Sequence, residues 1–147
     1  MTAQAGDPGE WLRQLIADGR ASLDALSRMT GIEPDRLRAF IEDARPPGMS
    51  RTPPLLSSDE SARVSTLAAY LSEGMQIDDD ERLKAIFESL TSECGLTLHN
   101  LAQLTGVEVD AVDVVLGDPA SLPPATKYAL AVRGSHILNA ANQARRQ

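Results

Sequence analysis

Residues 96–118 read LTLHNLAQLTGVEVDAVDVVLGD, and residues 21–43 read ASLDALSRMTGIEPDRLRAFIED. Laid together at an offset of 75 without a gap, they agree at seven of 23 positions. The identical pairs are Leu23/Leu98, Leu26/Leu101, Thr30/Thr105, Gly31/Gly106, Glu33/Glu108, Asp35/Asp110 and Asp43/Asp118. Chemistry is kept at Ser22/Thr97, Ser27/Ala102, Met29/Leu104, Ile32/Val107, Leu37/Val112 and Ile41/Leu116. The register also runs upstream, pairing Trp11 with Ile86, Leu12 with Phe87 and Leu15 with Leu90. Matches that keep step with the helical period point to one helical unit present twice.

Each copy carries the same punctuation. Ser22 and Thr97 are N-cap residues, each opening a short helix with apolar residues at helical spacing (Leu23, Leu26, Met29; Leu98, Leu101, Leu104). Thr-Gly closes that helix, because Gly31 and Gly106 accept the left-handed conformation found at helix C-termini. A second helix follows, with Ile32, Leu37, Phe40 and Ile41, or Val107, Val112, Val115 and Leu116, turned inward. Two helices across a tight glycine turn are the parts of a helix-turn-helix.

The flanks complete each unit. Earlier helices are expected over Gly9–Asp18 and Asp78–Glu93, the latter opened by Asp78-Asp79-Asp80-Glu81, which suits the helix dipole. A Pro-rich connection, Arg45–Leu56, leads to a helix over Ser58–Glu73 with Ala62, Leu67, Ala68 and Leu71 as its inner stripe. After Pro123 and Pro124 a last helix is expected from Ala125 to about Ala141. Nothing alternates with period two. The composition agrees, with twenty Ala and nineteen Leu but five aromatic residues in 147. The expected fold is all-α: two tandem units of about four helices each, over residues 1–75 and 76–147.

These residues resemble the λ-repressor-like (Cro and Xre type) helix-turn-helix family. LDALSRMTGIEPDRL has that family's small residue (Ser27), turn glycine (Gly31) and apolar anchors (Ile32, Leu37); LHNLAQLTGVEVDAV repeats them as Ala102, Gly106, Val107 and Val112. The resemblance implies that the second motif helix enters the major groove of DNA. The residues it would offer are Glu33, Pro34, Asp35, Arg38 and Ala39 in the first copy, and Glu108, Val109, Asp110, Asp113 and Val114 in the second. Three carboxylates and no basic or amide donor make the second copy a poor DNA reader. Leu23 and Leu98 also stand where the family has a polar residue for phosphate contact.

Double-stranded DNA is therefore an expected partner through the first unit. Ser22, Arg28, Arg36 and Arg38 are its candidate contacts, with Arg38 the one for a base, and Arg145 and Arg146 add a basic C-terminal tail. The opposing expectation is that Arg28, Arg36 and Arg38 merely pair with acids at helical spacing. Net charge is −7, which excludes a chain coated in basic residues for non-specific nucleic-acid binding. Its distribution is uneven: residues 76–118 hold two basic residues against ten acids, and residues 119–147 hold four basic residues and no acid. That complementarity suggests a homodimer, with Val109, Asp110, Asp113, Val114, Ile137 and Leu138 as its face. The leading expectation is a DNA-binding transcriptional regulator. The alternative is a protein-interaction or dimerisation module that keeps the helix-turn-helix as a scaffold.

Enzymatic chemistry is not expected. Cys94, His99 and His136 are too few and too scattered for zinc, and Cys94 with His99 reads as a small buried thiol beside an exposed imidazole. There is no phosphate-binding glycine loop, and the run Asp78–Glu81 lacks the spacing of a calcium loop. No cofactor, metal, small-molecule ligand or membrane is expected. One cysteine, no long apolar run and a start lacking signal-peptide features, Met1 to Gly9, suggest the cytoplasm.

Overall fold

The computed structural model describes residues 7–43 and 55–146. Residues 45–54 of the Pro-rich connection and residues 1–6 of the N-terminal segment lie outside the described residues. Among those described, the chain is all-α, without a strand. It divides into two compact units, Met1–Gln76 and Ile77–Gln147.

The first unit comprises α1 (Pro8–Ala17), α2 (Leu23–Thr30), α3 (Pro34–Glu42) and α4 (Ser58–Leu71), with a 3-10 turn at Glu73–Gln76. The second comprises α5 (Asp79–Ser92), α6 (Leu98–Thr105), α7 (Val109–Gly117), a 3-10 turn at Pro119–Ser121, and α8 (Pro124–Arg145). Both ends of α2 and α6, and both ends of α3 and α7, are separated by the 75 residues of the sequence register.

Local chemistry fixes these boundaries. The Ser22 hydroxyl accepts from the Ala25 N–H at 3.0 Å. Thr97 forms a reciprocal box with Asn100, each side chain accepting from the other's backbone N–H at 3.0 Å. The Asp78 carboxylate accepts from the N–H groups of Asp80 and Glu81. Each of these satisfies donors that a helix start leaves without intrahelical partners.

In the first unit Leu12 and Leu15 (α1), Leu26 (α2), Ile32, Leu37 and Ile41 bury against Val64 and Ala68 of α4. In the second, Phe87 and Leu90 (α5), Leu101 (α6), Val112 and Val115 (α7) bury against Leu130 of α8. Leu12/Phe87, Leu15/Leu90, Leu26/Leu101 and Leu37/Val112 thus hold the same places in the two cores.

Three expectations need correction. The inner stripe of α4 is centred on Val64 and Ala68, with Leu67 and Leu71 half-buried and Ala62 exposed. Met29 and Leu104 lie on the outside of α2 and α6, because Thr30 and Thr105 take the buried places next to them. Helix α8 runs on to Arg145, so the expected basic tail is helical up to that residue, with Arg146 as its C-cap. Ala140-Ala141-Asn142-Gln143-Ala144 contains neither glycine nor proline to stop it.

Candidate nucleic-acid interface

The corner between α2 and α3 is built from three side-chain decisions. Gly31 sits at φ 73°, and its N–H donates to the Ser27 carbonyl at 2.8 Å. The buried Thr30 hydroxyl donates to the Leu26 carbonyl at 2.8 Å and accepts from the Ile32 N–H at 3.3 Å. The Ser27 hydroxyl, also buried, donates to the Ile32 carbonyl. In the second unit Gly106 sits at φ 71°. Thr105 repeats both bonds, to the Leu101 carbonyl and from the Val107 N–H. Ala102 replaces Ser27 and brings no polar group to satisfy.

These corners present the outer faces of α3 and α7. Both helices begin on a glutamate, Glu33 or Glu108, whose side chain makes no cap bond. Around the first corner Glu33, Pro34, Asp35, Arg38 and Ala39 are all exposed. Around the second, Glu108, Val109, Asp110 and Asp113 are exposed and Val114 is half-buried.

The candidate arginines of the first unit each meet a carboxylate. Arg28 contacts Asp24 one turn earlier on α2 at 3.0 Å, with 81% of its side chain exposed. Arg38 contacts Asp35 on α3 at 3.3 Å. Both are solvated pairs of the weak kind. Arg36 is engaged differently: Nη1 and Nη2 donate to the two oxygens of Glu60 at 2.8 and 2.6 Å, and Nη2 also donates to the Leu55 carbonyl at 3.2 Å. Glu60 accepts in addition from the Ser57 N–H at 2.9 Å, closing the capping box of α4. The paired guanidinium, followed by the Ser57 N–H, pulls the Glu60 carboxyl down from the ordinary 4.5 to about 2. The same pairing raises Arg36.

Arg145 ends α8 with Nη1 3.9 Å from Glu93 and Nη2 4.0 Å from the Cys94 sulfur, and Arg146 is exposed beside it. Cys94 packs half-buried on the second core, while His99 is exposed. Ile137 and Leu138, expected on a dimer face, pack against the core of their own unit. Among the described residues no group of three or more His, Cys, Asp or Glu side chains is placed to hold a metal.

Two further arginines stand at the corners. Arg133 on α8 donates to the Thr105 carbonyl at the end of α6. The Arg63 guanidinium on α4 lies at the equivalent end of α2, 3.9 Å from where a Cβ on Gly31 would sit. A cation at a helix C-terminus is favoured by the exposed carbonyls there. The two positions are 70 residues apart, not 75, so the repeat register gives no hint of them.

Against known proteins, a family model described as a helix-turn-helix domain matches residues 5–147. The chain belongs to this helix-turn-helix family. A single helix-turn-helix domain model thus takes in both compact units. No curated protein and no solved structure matches the chain. A helix-turn-helix domain suggests DNA as its partner. Among the described residues no helix is long and apolar enough to cross a membrane.

Proposed function

We propose that the chain is a cytoplasmic DNA-binding transcriptional regulator made of two λ-repressor-like units, of which the first contacts DNA. The observation that carries this is the contrast between two equivalent faces. Around the first corner Arg28 and Arg38 are exposed and held only by solvated carboxylates one helical turn away. Around the second, the acids Glu33 and Asp35 recur as Glu108 and Asp110, but Gln103 and Asp113 stand where Arg28 and Arg38 do, so the face is left with three carboxylates and no cation. A weak surface pair exchanges readily for a phosphate, whereas three carboxylates are repelled by one. Ser22 adds a hydroxyl and a helix N-terminus at the opposite end of α2 from Arg28. Arg38, on the outer face of α3, is the residue for a base edge.

An electrophoretic shift with mixed genomic fragments tests the proposal. Binding is expected at about 50 mM salt, weakening steeply by about 200 mM. Replacing Arg28 and Arg38 together with Ala should reduce affinity and lower the salt slope by about one for each phosphate no longer neutralised. Unchanged affinity and slope would remove the assignment.

A second reading rests on Val109, 44% exposed at the start of α7 among three acids. There the helix-turn-helix serves as a scaffold, and Val109, Asp110, Asp113 and Val114 meet a basic protein surface. Absence of any shift at low salt would favour it.

A further inference from the structure

The two motif helices are held in place by different means. Helices α3 and α7 have nine residues each, too few to persist without support from the rest of their units. Helix α7 takes that support from apolar side chains: Val112 and Val115 are buried, and Ala111, Val114 and Leu116 are half-buried. On α3, Leu37 and Ile41 are buried and Phe40 half-buried, while the other six residues are exposed.

Guanidinium groups make up the difference. Arg36, near the start of α3, grips Glu60. At the other end, Nη1 of Arg13 on α1 donates to the Ile41 carbonyl, across 28 residues of sequence. That carbonyl is among the last four, which a helix leaves without intrahelical partners, and a cation suits that end of its dipole. Arg13 is half-buried, and its Nη2 lies 3.9 Å from Asp7, whose carboxylate accepts from the Gly9 N–H at 3.3 Å as the N-cap of α1. One guanidinium thus joins the start of α1 to the end of α3. In the 75-residue register Glu88 stands in the place of Arg13, and Ala111 in that of Arg36. A carboxylate and a methyl group donate nothing.

We infer that Arg13 is a positioning residue of the DNA-contacting face: with Arg36 it fixes α3 at both ends, so that Arg38 meets a base edge in one direction. Two-point hydrogen bonding to a base needs its groups held within roughly 0.5 Å. Attraction to phosphates is sequence-independent and far less exacting. Arg13 therefore governs the preference for a sequence and leaves general affinity for DNA alone. This rests on the DNA contact proposed for the first unit, and adds a residue outside the contact face that sets its selectivity.

The test uses the intact chain with Arg13→Met, which keeps the apolar stem, and with Arg13→Lys, which keeps a donor. Without DNA, hydrogen exchange read by mass spectrometry should show α3 amides opening at least about tenfold faster in Arg13→Met, with α2, α4 and the second unit unchanged. Binding compares a duplex that the wild type enriches from a random pool with a shuffled duplex of the same composition. Arg13→Met should lose about tenfold on the enriched duplex and nothing on the shuffled one, at an unchanged salt slope. Arg13→Lys should restore most of both effects. Faster exchange throughout the first unit, with both duplexes weakened alike, would make Arg13 a general stabiliser and overturn the inference. So would unaltered exchange of α3, full affinity of Arg13→Met for the enriched duplex, or a salt slope lowered by about one, the mark of a phosphate contact. A wild type that enriches no sequence removes the DNA contact and the inference with it, and faster α3 exchange in Arg13→Met would then place the failure in the DNA contact.

Discussion

Arg36 on the second motif helix grips both carboxylate oxygens of Glu60 on α4, at 2.8 and 2.6 Å, across 24 residues of sequence. Glu60 at the same time receives the Ser57 N–H. One carboxylate therefore closes a helix N-terminus and ties the exposed helix of the motif to its support. Planar two-point pairing of this kind fixes orientation as well as distance.

That geometry makes stability depend on acid. The Glu60 carboxyl is depressed in the folded chain from 4.5 to about 2, so as pH falls the unfolded state takes up the proton first. The stabilisation is complete above about pH 4.5 and disappears as pH falls through about 2. Denaturant unfolding followed by Trp11 reports on this unit, because the only tryptophan packs on the first core. The difference between wild type and Glu60→Gln should be present at pH 6 and shrink steadily towards pH 2.

Arg36 should affect DNA binding through position and not through charge. Arg36→Lys keeps the cation but loses the two-point grip. Affinity should fall while the salt slope stays that of the wild type, and Glu60→Gln should reproduce the effect. A slope lowered by about one in Arg36→Ala, restored in Arg36→Lys, would make Arg36 a phosphate contact after all.

The two corner glycines should be equally intolerant of a side chain. Gly31→Ala and Gly106→Ala force an L-residue to φ 73° and 71°, at a cost of about 1–2 kcal/mol. Gly106→Ala also brings a methyl to 3.5 Å from the Arg133 guanidinium. Asparagine at either place should cost less than alanine in urea denaturation followed by circular dichroism.

Gly134 is a different case, a helical glycine that admits an aromatic ring. A Cβ there would lie 2.7 and 2.9 Å from Phe87 ring carbons. Gly134→Ala should destabilise by about 1–2 kcal/mol, the overpacking outweighing the gain in helix propensity. Gly134→Ala should cost less in a Phe87→Leu background than in the wild type, a coupling that a double-mutant cycle reads directly.

What can be read from sequence is local. Ser22, Thr97, Gly31 and Gly106 act on the backbone within a few residues of themselves, and the short helices begin and end where they indicate. The inner stripe of α4 is harder to place, because alanine marks either face of a helix with little preference: Ala62 is exposed and Ala68 buried. Met29 and Leu104 follow the apolar spacing yet lie outside, displaced by threonines whose hydroxyls are satisfied within the corner. In the sequence Arg36 resembles any basic residue on a motif helix. Its partner lies on another element and carries no local mark, so only the folded chain shows that it is occupied. The charge contrast between the two motif faces is legible, since exposure at each corner follows from the positions of its anchors.

The threonine–glycine corner has a kinetic consequence. Its hydroxyl bonds link residues two and four apart, Thr30 with Ile32 and Leu26, and Thr105 with Val107 and Leu101. Closing loops that short sacrifices little chain entropy, and contacts of such low sequence separation form early. Each corner is thus placed to act as a seed from which its two helices grow, with the distant closure by α4 or α8 arriving afterwards.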